Sequence, residues 1–173
     1  GRAYVTTADV YGQVPATGLA ILDVRDPASP ALLGSVGIPG GAAGVAVSGG
    51  FAYVQADGSP FSGWQGLLVF DISNPAAPAQ VAEVGGVSGA PRDEMVVVGD
   101  RLYIAGAGVC RIDISNPRAP TTECPLFPVY GNRLAVREPY VFVGRGSEFV
   151  VFDVSGPDEP RQVAEVDVAG ILS

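Results

Sequence analysis

Short apolar runs alternate along this chain with clusters of Gly, Pro, Asn and Ser, and within many runs every second position is apolar. A period of two belongs to a strand with one buried face, and no stretch carries the 3.6-residue period of an amphipathic helix. From Gly44 the residues G-V-A-V-S predict a strand ending at Ser48, Gly49-Gly50 a tight hairpin turn, and F-A-Y-V-Q-A a second strand from Phe51 to Ala56. Leu67 to Ile72 is apolar on both faces, the pattern of a strand covered from two sides. Ser73-Asn74-Pro75 then reverses the chain, because Ser and Asn bond the local backbone and proline cannot donate to a ladder. Gln80 to Val84 predicts a more polar outer strand.

The same order recurs from Glu94 to Pro125 and from Arg133 to Val166, and the turn itself repeats. Asp-Ile-Ser-Asn-Pro stands at Asp71 to Pro75 and at Asp113 to Pro117, with degenerate copies at Asp23 to Pro27 and Asp153 to Pro157. The leading aspartates are spaced by 48, 42 and 40 residues, within the range of propeller and solenoid repeats. One repeat cannot bury its own apolar face, so neighbours must complete each core. Four antiparallel strands per unit predict an all-β propeller arc of about four blades, near residues 1–40, 41–90, 91–130 and 131–173, in a single array. A parallel β-helix would have a shorter period, and an immunoglobulin-like sandwich would not repeat its turn. Ala3 to Ala8 matches the second strand of a blade, so the first blade is expected to lack its inner strand and the array to belong to a larger propeller.

Phe51 to Ala56, Gly66 to Asp71 and Ser73 to Pro78 are similar to the unit of the LVIVD repeat family of β-propellers, with further copies at Gly18 to Asp23, Arg111 to Pro120 and Val150 to Pro160. The resemblance covers nearly the whole chain. It implies a propeller fold and a bacterial surface or exported protein, without implying a particular chemistry. The copies depart at Arg25-Asp26 and at Gly156, where Ser-Asn is lost.

Charge and composition narrow the partners. A net charge of −8 repels phosphate backbones and anionic lipid, which argues against nucleic acid, and no apolar run is long enough for a membrane helix. The sequence starts at Gly1 rather than Met and contains neither histidine nor lysine. Ser-His-Asp hydrolysis, His-ligated zinc and lysine Schiff-base chemistry are therefore excluded within this segment. No cofactor is expected.

Asp23, Asp71, Asp113 and Asp153 recur once per blade and could form a calcium-binding ring, but each directly precedes a turn whose amides a carboxylate can accept from. No dense Asp/Asn loop accompanies them, so a structural turn role is expected and no metal. Cys110 and Cys124 flank Pro117 symmetrically, which would set them opposite one another across a hairpin as a disulfide. A pair of buried free thiols is the alternative; the disulfide would fit an extracellular, cell-surface or periplasmic protein.

The connections after the second strand vary in length, being long at Asp9 to Gly18 and Asp57 to Gly66 and short near Gly106 and Gly146. Variable loops on a rigid scaffold are where binding residues sit. Tyr11, Phe61 and Trp64 on the long loops, with Arg92, Tyr130 and Arg133 from the connections between blades, are the candidate binding residues for a protein or glycan. Phe61 and Trp64 folding back to cap their own blade is the competing reading. The sequence thus favours a non-catalytic binding or scaffold module, also in contact with remaining blades or adjacent domains. The alternative is part of a propeller hydrolase or lyase, for which Asp93, Glu94 and Arg133 form a thin charged set near the funnel.

Overall fold

The computed structural model describes residues 1–7, 18–39, 41–56, 66–87, 94–106, 108–127, 129–131, 133–156 and 160–168. Among these, all regular structure is strand. The first sheet is β1 (Arg2–Thr7), β2 (Gly18–Asp23) and β3 (Ala31–Gly37), hydrogen-bonded in that order. The second is β4 (Ala42–Ser48), β5 (Phe51–Ala56), β6 (Gly66–Asp71) and β7 (Ala79–Gly85). The third is β8 (Met95–Val98), β9 (Arg101–Ile104), β10 (Val109–Asp113) and β11 (Thr121–Phe127), and the fourth β12 (Arg133–Arg137), β13 (Tyr140–Arg145), β14 (Glu148–Asp153) and β15 (Arg161–Asp167). Every neighbouring pair is antiparallel and consecutive in sequence, an up-and-down meander repeated four times. The first sheet has no described counterpart of β4, since β1 pairs with β2 as β5 pairs with β6.

The turns explain why the motif repeats. Asp71 Oδ1 accepts from Ser73 N at 3.0 Å, and Asp113 and Asp153 accept from Ser115 N and Ser155 N at 2.9 Å each. The next turn of the chain is closed by Asn74, whose Oδ1 accepts from Ala76 N at 3.2 Å. In the first copy, where Ser-Asn is replaced, Asp23 Oδ1 still accepts from Arg25 N and Asp26 Oδ1 takes the place of the asparagine oxygen by accepting from Ala28 N, both at 3.0 Å. A carboxylate oxygen serves at that position as an amide oxygen does. The residue after each repeat aspartate also donates to the residue that precedes the neighbouring strand of its own sheet: Val24 N to Gly1 O, Ile72 N to Gly50 O, Ile114 N to Asp100 O and Val154 N to Pro139 O, at 2.8–3.1 Å. In the second, third and fourth sheets both tight turns are thereby tied at one end, while in the first the bond reaches Gly1, just before β1. Gly49 and Gly50, with φ of 56° and 80°, supply the left-handed pair that a two-residue hairpin requires.

Register is broken once per outer strand. In the first, second and fourth sheets the break falls one residue before the strand end, leaving Leu33, Val81 and Val163 as the extra residue. The third sheet differs: pairing runs without a break from Asp113↔Thr121 to Arg111↔Glu123 and shifts only beyond, towards Val109↔Phe127. That displacement brings Cys124 opposite Cys110, and the two are joined in a disulfide with Cα atoms 4.5 Å apart, the spacing of a non-hydrogen-bonded antiparallel pair. Closing a loop with a sequence separation of 14 stabilises the fold by about 3 kcal/mol in the chain-entropy account.

The chain forms two compact units, residues 1–87 with 117–119, and residues 88–116 with 120–173. In the first, Leu19 and Ile21 of β2 join Ala52 and Val54 of β5, Leu68 and Phe70 of β6 and Ile72 in one buried cluster, with Tyr4, Leu33 and Val36 packed at its edge. In the second, Tyr103, Val109 and Phe127 join Val141, Val143, Val150, Phe152 and Val154, and the rings of Phe127 and Phe152 stack at 3.9 Å. In both clusters the residue four before the aspartate of one sheet, Leu19 or Val109, joins residues one and three before, and one after, the aspartate of the next; the position two before is Ile21 in the first, and in the second it is Arg111, which stands outside the cluster. Each Leu, Ile or Phe fully buried this way contributes about 1.5–3 kcal/mol.

Close approach also demands a small residue. A Cβ on Gly34 of β3 would meet Pro75 O and lie 2.9 Å from Ala76 Cα, because the Asn-Pro turn of the second sheet rests on β3. Gly34→Ala is therefore expected to destabilise the protein by about 1–3 kcal/mol through overpacking against backbone; urea unfolding checks this, and an unchanged midpoint would show that the turn does not press on β3.

Candidate functional site

The recurrent carboxylates are engaged in the turns. Arg25 grips Asp23 with Nε and Nη2 at 2.6–3.1 Å, and this side-chain bond, then the Arg25 amide, lowers the Asp23 pKa to about 2. Asp71, Asp113 and Asp153 are held below the ordinary carboxylate value by the side chains and then the amides of Ser73, Ser115 and Ser155. Asp71 Oδ2 also accepts from Arg118 at 2.9 Å. Among the described residues no three acidic or cysteine side chains gather as a metal set.

At the turn end of the second unit a cleft of about 530 Å³ is lined by Arg101, Arg111, Glu138, Pro139, Val154 and Ser155, among others. Its charges are mutually engaged. Arg111 pairs with Glu123 at 2.5 Å and Arg101 with Glu138 at 3.5 Å, while the Tyr103 hydroxyl donates to Glu138 Oε1 at 3.0 Å. Burial, then the Glu138 carboxylate, raises the Tyr103 pKa. This cleft was not among the residues singled out from sequence. The available signal was Arg111, which stands two before the repeat aspartate where the other copies have Ile21, Val69 and Val151.

The other end of the second unit carries the connection between β11 and β12. Gly131 bridges Gly106, so the short crossing after β9 and the connection lie side by side. Tyr130 projects from this connection with 63% of its surface exposed, and Arg133 at the start of β12 is exposed as well. Glu94, by contrast, is committed: its Oε2 accepts from Leu134 N at 2.9 Å and its carbonyl from Ala105 N at 3.0 Å, joining β8's entry to β12 and β9. A carboxylate bound to backbone in this way is poorly placed to act as an acid or base.

Tyr11, Phe61, Trp64, Arg92 and Asp93 lie outside the described residues. In the first unit, Gln55 at the end of β5 is 1% exposed, and among the described residues neither its Oε1 nor its Nε2 has a partner. Sequence reading passed over it as one polar position in an alternating strand.

The repeated meander, its spacing and its turn fit a propeller blade, and the comparisons agree. The LVIVD repeat family model matches residues 14–37, 39–85, 93–123 and 130–168, so the chain belongs to the LVIVD repeat family, whose repeats form β-propellers. A crystal structure of a protein from Lactobacillus plantarum superposes with a TM-score of 0.71 at 17% identity, covering 96% of this chain and 52% of its own. A functionally unknown protein from Desulfotomaculum acetoxidans gives 0.70 at 14% identity, with 95% and 52% covered. At these identities the likeness shows the fold, and the chain spans about half the length of the structures it matches. No curated protein matches the chain.

A depressed carboxyl contributes stability that is present above its unfolded pKa and lost as pH falls through the folded one. Melting temperature should therefore decline as pH is lowered from about 4 towards 2, and NMR should place the Asp23 carboxyl midpoint at about 2. A midpoint at the ordinary 3.8 would show that Arg25 does not hold it in solution.

Proposed function

We propose that this chain is a non-catalytic binding or scaffold module of a bacterial exported or cell-surface LVIVD propeller, contacting a protein or glycan through the end that carries the connections between blades. The observation that carries the reading is Tyr130, a large aromatic 63% exposed on a short connection beside an exposed Arg133. Tyr and Arg are the side chains most enriched where binding energy concentrates, because each offers apolar area and directed donors. Tyr11, Phe61, Trp64 and Arg92 belong to the same proposal through their place on the long loops and the preceding connection. The Cys110–Cys124 disulfide supports an oxidising compartment, extracellular or periplasmic. The repeat aspartates act in the turns rather than on a metal, which agrees with the backbone bonds they accept.

The competing hydrolase or lyase reading is not favoured by any described group, since Glu94 is taken up by the Leu134 amide.

The test is binding of the folded chain to a glycan array and to immobilised peptidoglycan, with cross-linking to surface proteins of intact bacterial cells alongside. A retained ligand should lose at least about tenfold in affinity on Tyr130→Ala with Arg133→Ala, a loss of hot-spot size. Ligand affinity unchanged by both substitutions would remove this end of the molecule from the contact.

A further inference from the structure

Three departures from the repeat converge on the turn-end cleft of the second unit. Two residues before the repeat aspartate the other sheets carry Ile21, Val69 and Val151, and the third carries Arg111. Ten residues after it they carry Leu33, Val81 and Val163, and the third carries Glu123. Gly49 and Gly99 open the tight hairpins of the second and third sheets, and Glu138 takes that place in the fourth. Ile21 is fully buried in the cluster of the first unit, whereas Arg111 gives up that burial and lines the cleft with Arg101 and Glu138. A second hollow of about 110 Å³ shares both arginines and reaches Glu123. Side chains that break a repeat's own rule, where packing favours keeping it, mark a site with a task beyond stability.

The polar groups of the cleft are paired but not used up. Both bonds from Arg111, by Nε and Nη2, end on Oε2 of Glu123, and those from Arg101 and the Tyr103 hydroxyl end on Oε1 of Glu138. Among the described residues Glu123 Oε1 and Glu138 Oε2 take no bond, and each arginine keeps N–H groups beyond these. Two guanidinium groups thus face two carboxylates, while Asp113 beside them is committed to the Ser115 amide. An anion would have to displace a glutamate and a cation an arginine, each stranding a charge. A neutral molecule displaces neither. Hydroxyl groups match what is left, since each donates to a carboxylate oxygen and accepts from a guanidinium N–H. Pro139 and Val154 add apolar surface for the C–H side of a ring, and about 530 Å³ lies within the roughly 300–1,000 Å³ of small-molecule sites.

We infer that this cleft binds a neutral saccharide of one or two rings, whose neighbouring hydroxyls bridge the arginines of the third sheet to Glu138 of the fourth. The site lies at the other end of the second unit from Tyr130 and goes beyond the contact proposed there. A chain charge of −8 disfavours acidic sugars further.

Titration of the isotope-labelled chain with maltose, cellobiose and chitobiose, followed by NMR of the backbone amides and arginine Nε groups, tests this. At least one sugar should give saturable shifts at Arg101, Arg111, Ser155 and Gly156, with a midpoint on the order of 1 mM. Glucuronate and glucosamine should bind at least tenfold more weakly. Arg111→Ile with Glu123→Leu restores the residues that the first sheet carries at these positions and should weaken binding at least tenfold with the fold kept. Should the double variant disturb the fold, Glu138→Ala reads the same cleft from the fourth sheet and should weaken binding as much. Tighter binding of glucuronate or glucosamine overturns the neutral ligand. Shifts confined to Tyr130 and Arg133 would put the sugar at the other end and overturn this site, as would affinity unchanged by the substitutions. No saturable shift with any of the three sugars up to about 50 mM overturns it as well.

Discussion

The structure depends on one packing relation, the burial of one sheet's apolar face by the next. It is seen twice, once in each unit, with most positions shared and Ile21 of the first replaced by Arg111 in the second. β6 is the clearest case: Gly66 to Phe70 are all buried, with Leu68 and Phe70 in the cluster shared with the first sheet. Where the relation is not satisfied the exposure is immediate, as at Phe149 and Val166. Stability in a repeat array is a sum over units and contacts, so the same residue type is worth little at an open end and several kcal/mol inside.

Around that core the polar chemistry is conservative. The repeat aspartates accept from the amides that follow them, the residue after the aspartate ties the two tight turns of the second, third and fourth sheets together, and Glu94 is bound to the Leu134 backbone. The arginines of the turn-end cleft are paired with glutamates. Such groups hold the turns and strands in place. A rigid blade with variable connections is a general solution to binding, which is why fold alone does not name the ligand.

Much of the architecture was legible because repetition multiplies a weak local signal. A single alternating run such as Phe51 to Ala56 is ambiguous; four of them in register with an Asp-led, Pro-containing turn, two with Ser-Asn-Pro in full, are not. The bounds of β5 coincide with those read from alternation and β12 starts at Arg133, where the last recurrence was expected to begin, whereas β14 starts one residue before its apolar run Phe149 to Phe152, at Glu148. The reason is a two-residue turn at Gly146 and Ser147 that lets Glu148 pair with Arg145 in the ladder and by its side chain at 2.5 Å. The displaced register break of β10 and β11 could not be read from sequence, because it depends on where the cysteines meet rather than on local preference. For the site, Tyr130 and Arg133 could be placed on a connection from loop lengths, but the cleft at Arg111 and the buried amide of Gln55 required burial to be known.

The central relation is most directly tested by a double-mutant cycle between Ile21 of the first sheet and Phe70 of the second, both set in the same buried cluster. Each alanine substitution alone should cost about 2–5 kcal/mol. If one sheet packs on the next as described, the pair will couple by about 0.5–3 kcal/mol in equilibrium unfolding; costs that add to within about 0.3–0.5 kcal/mol would contradict it.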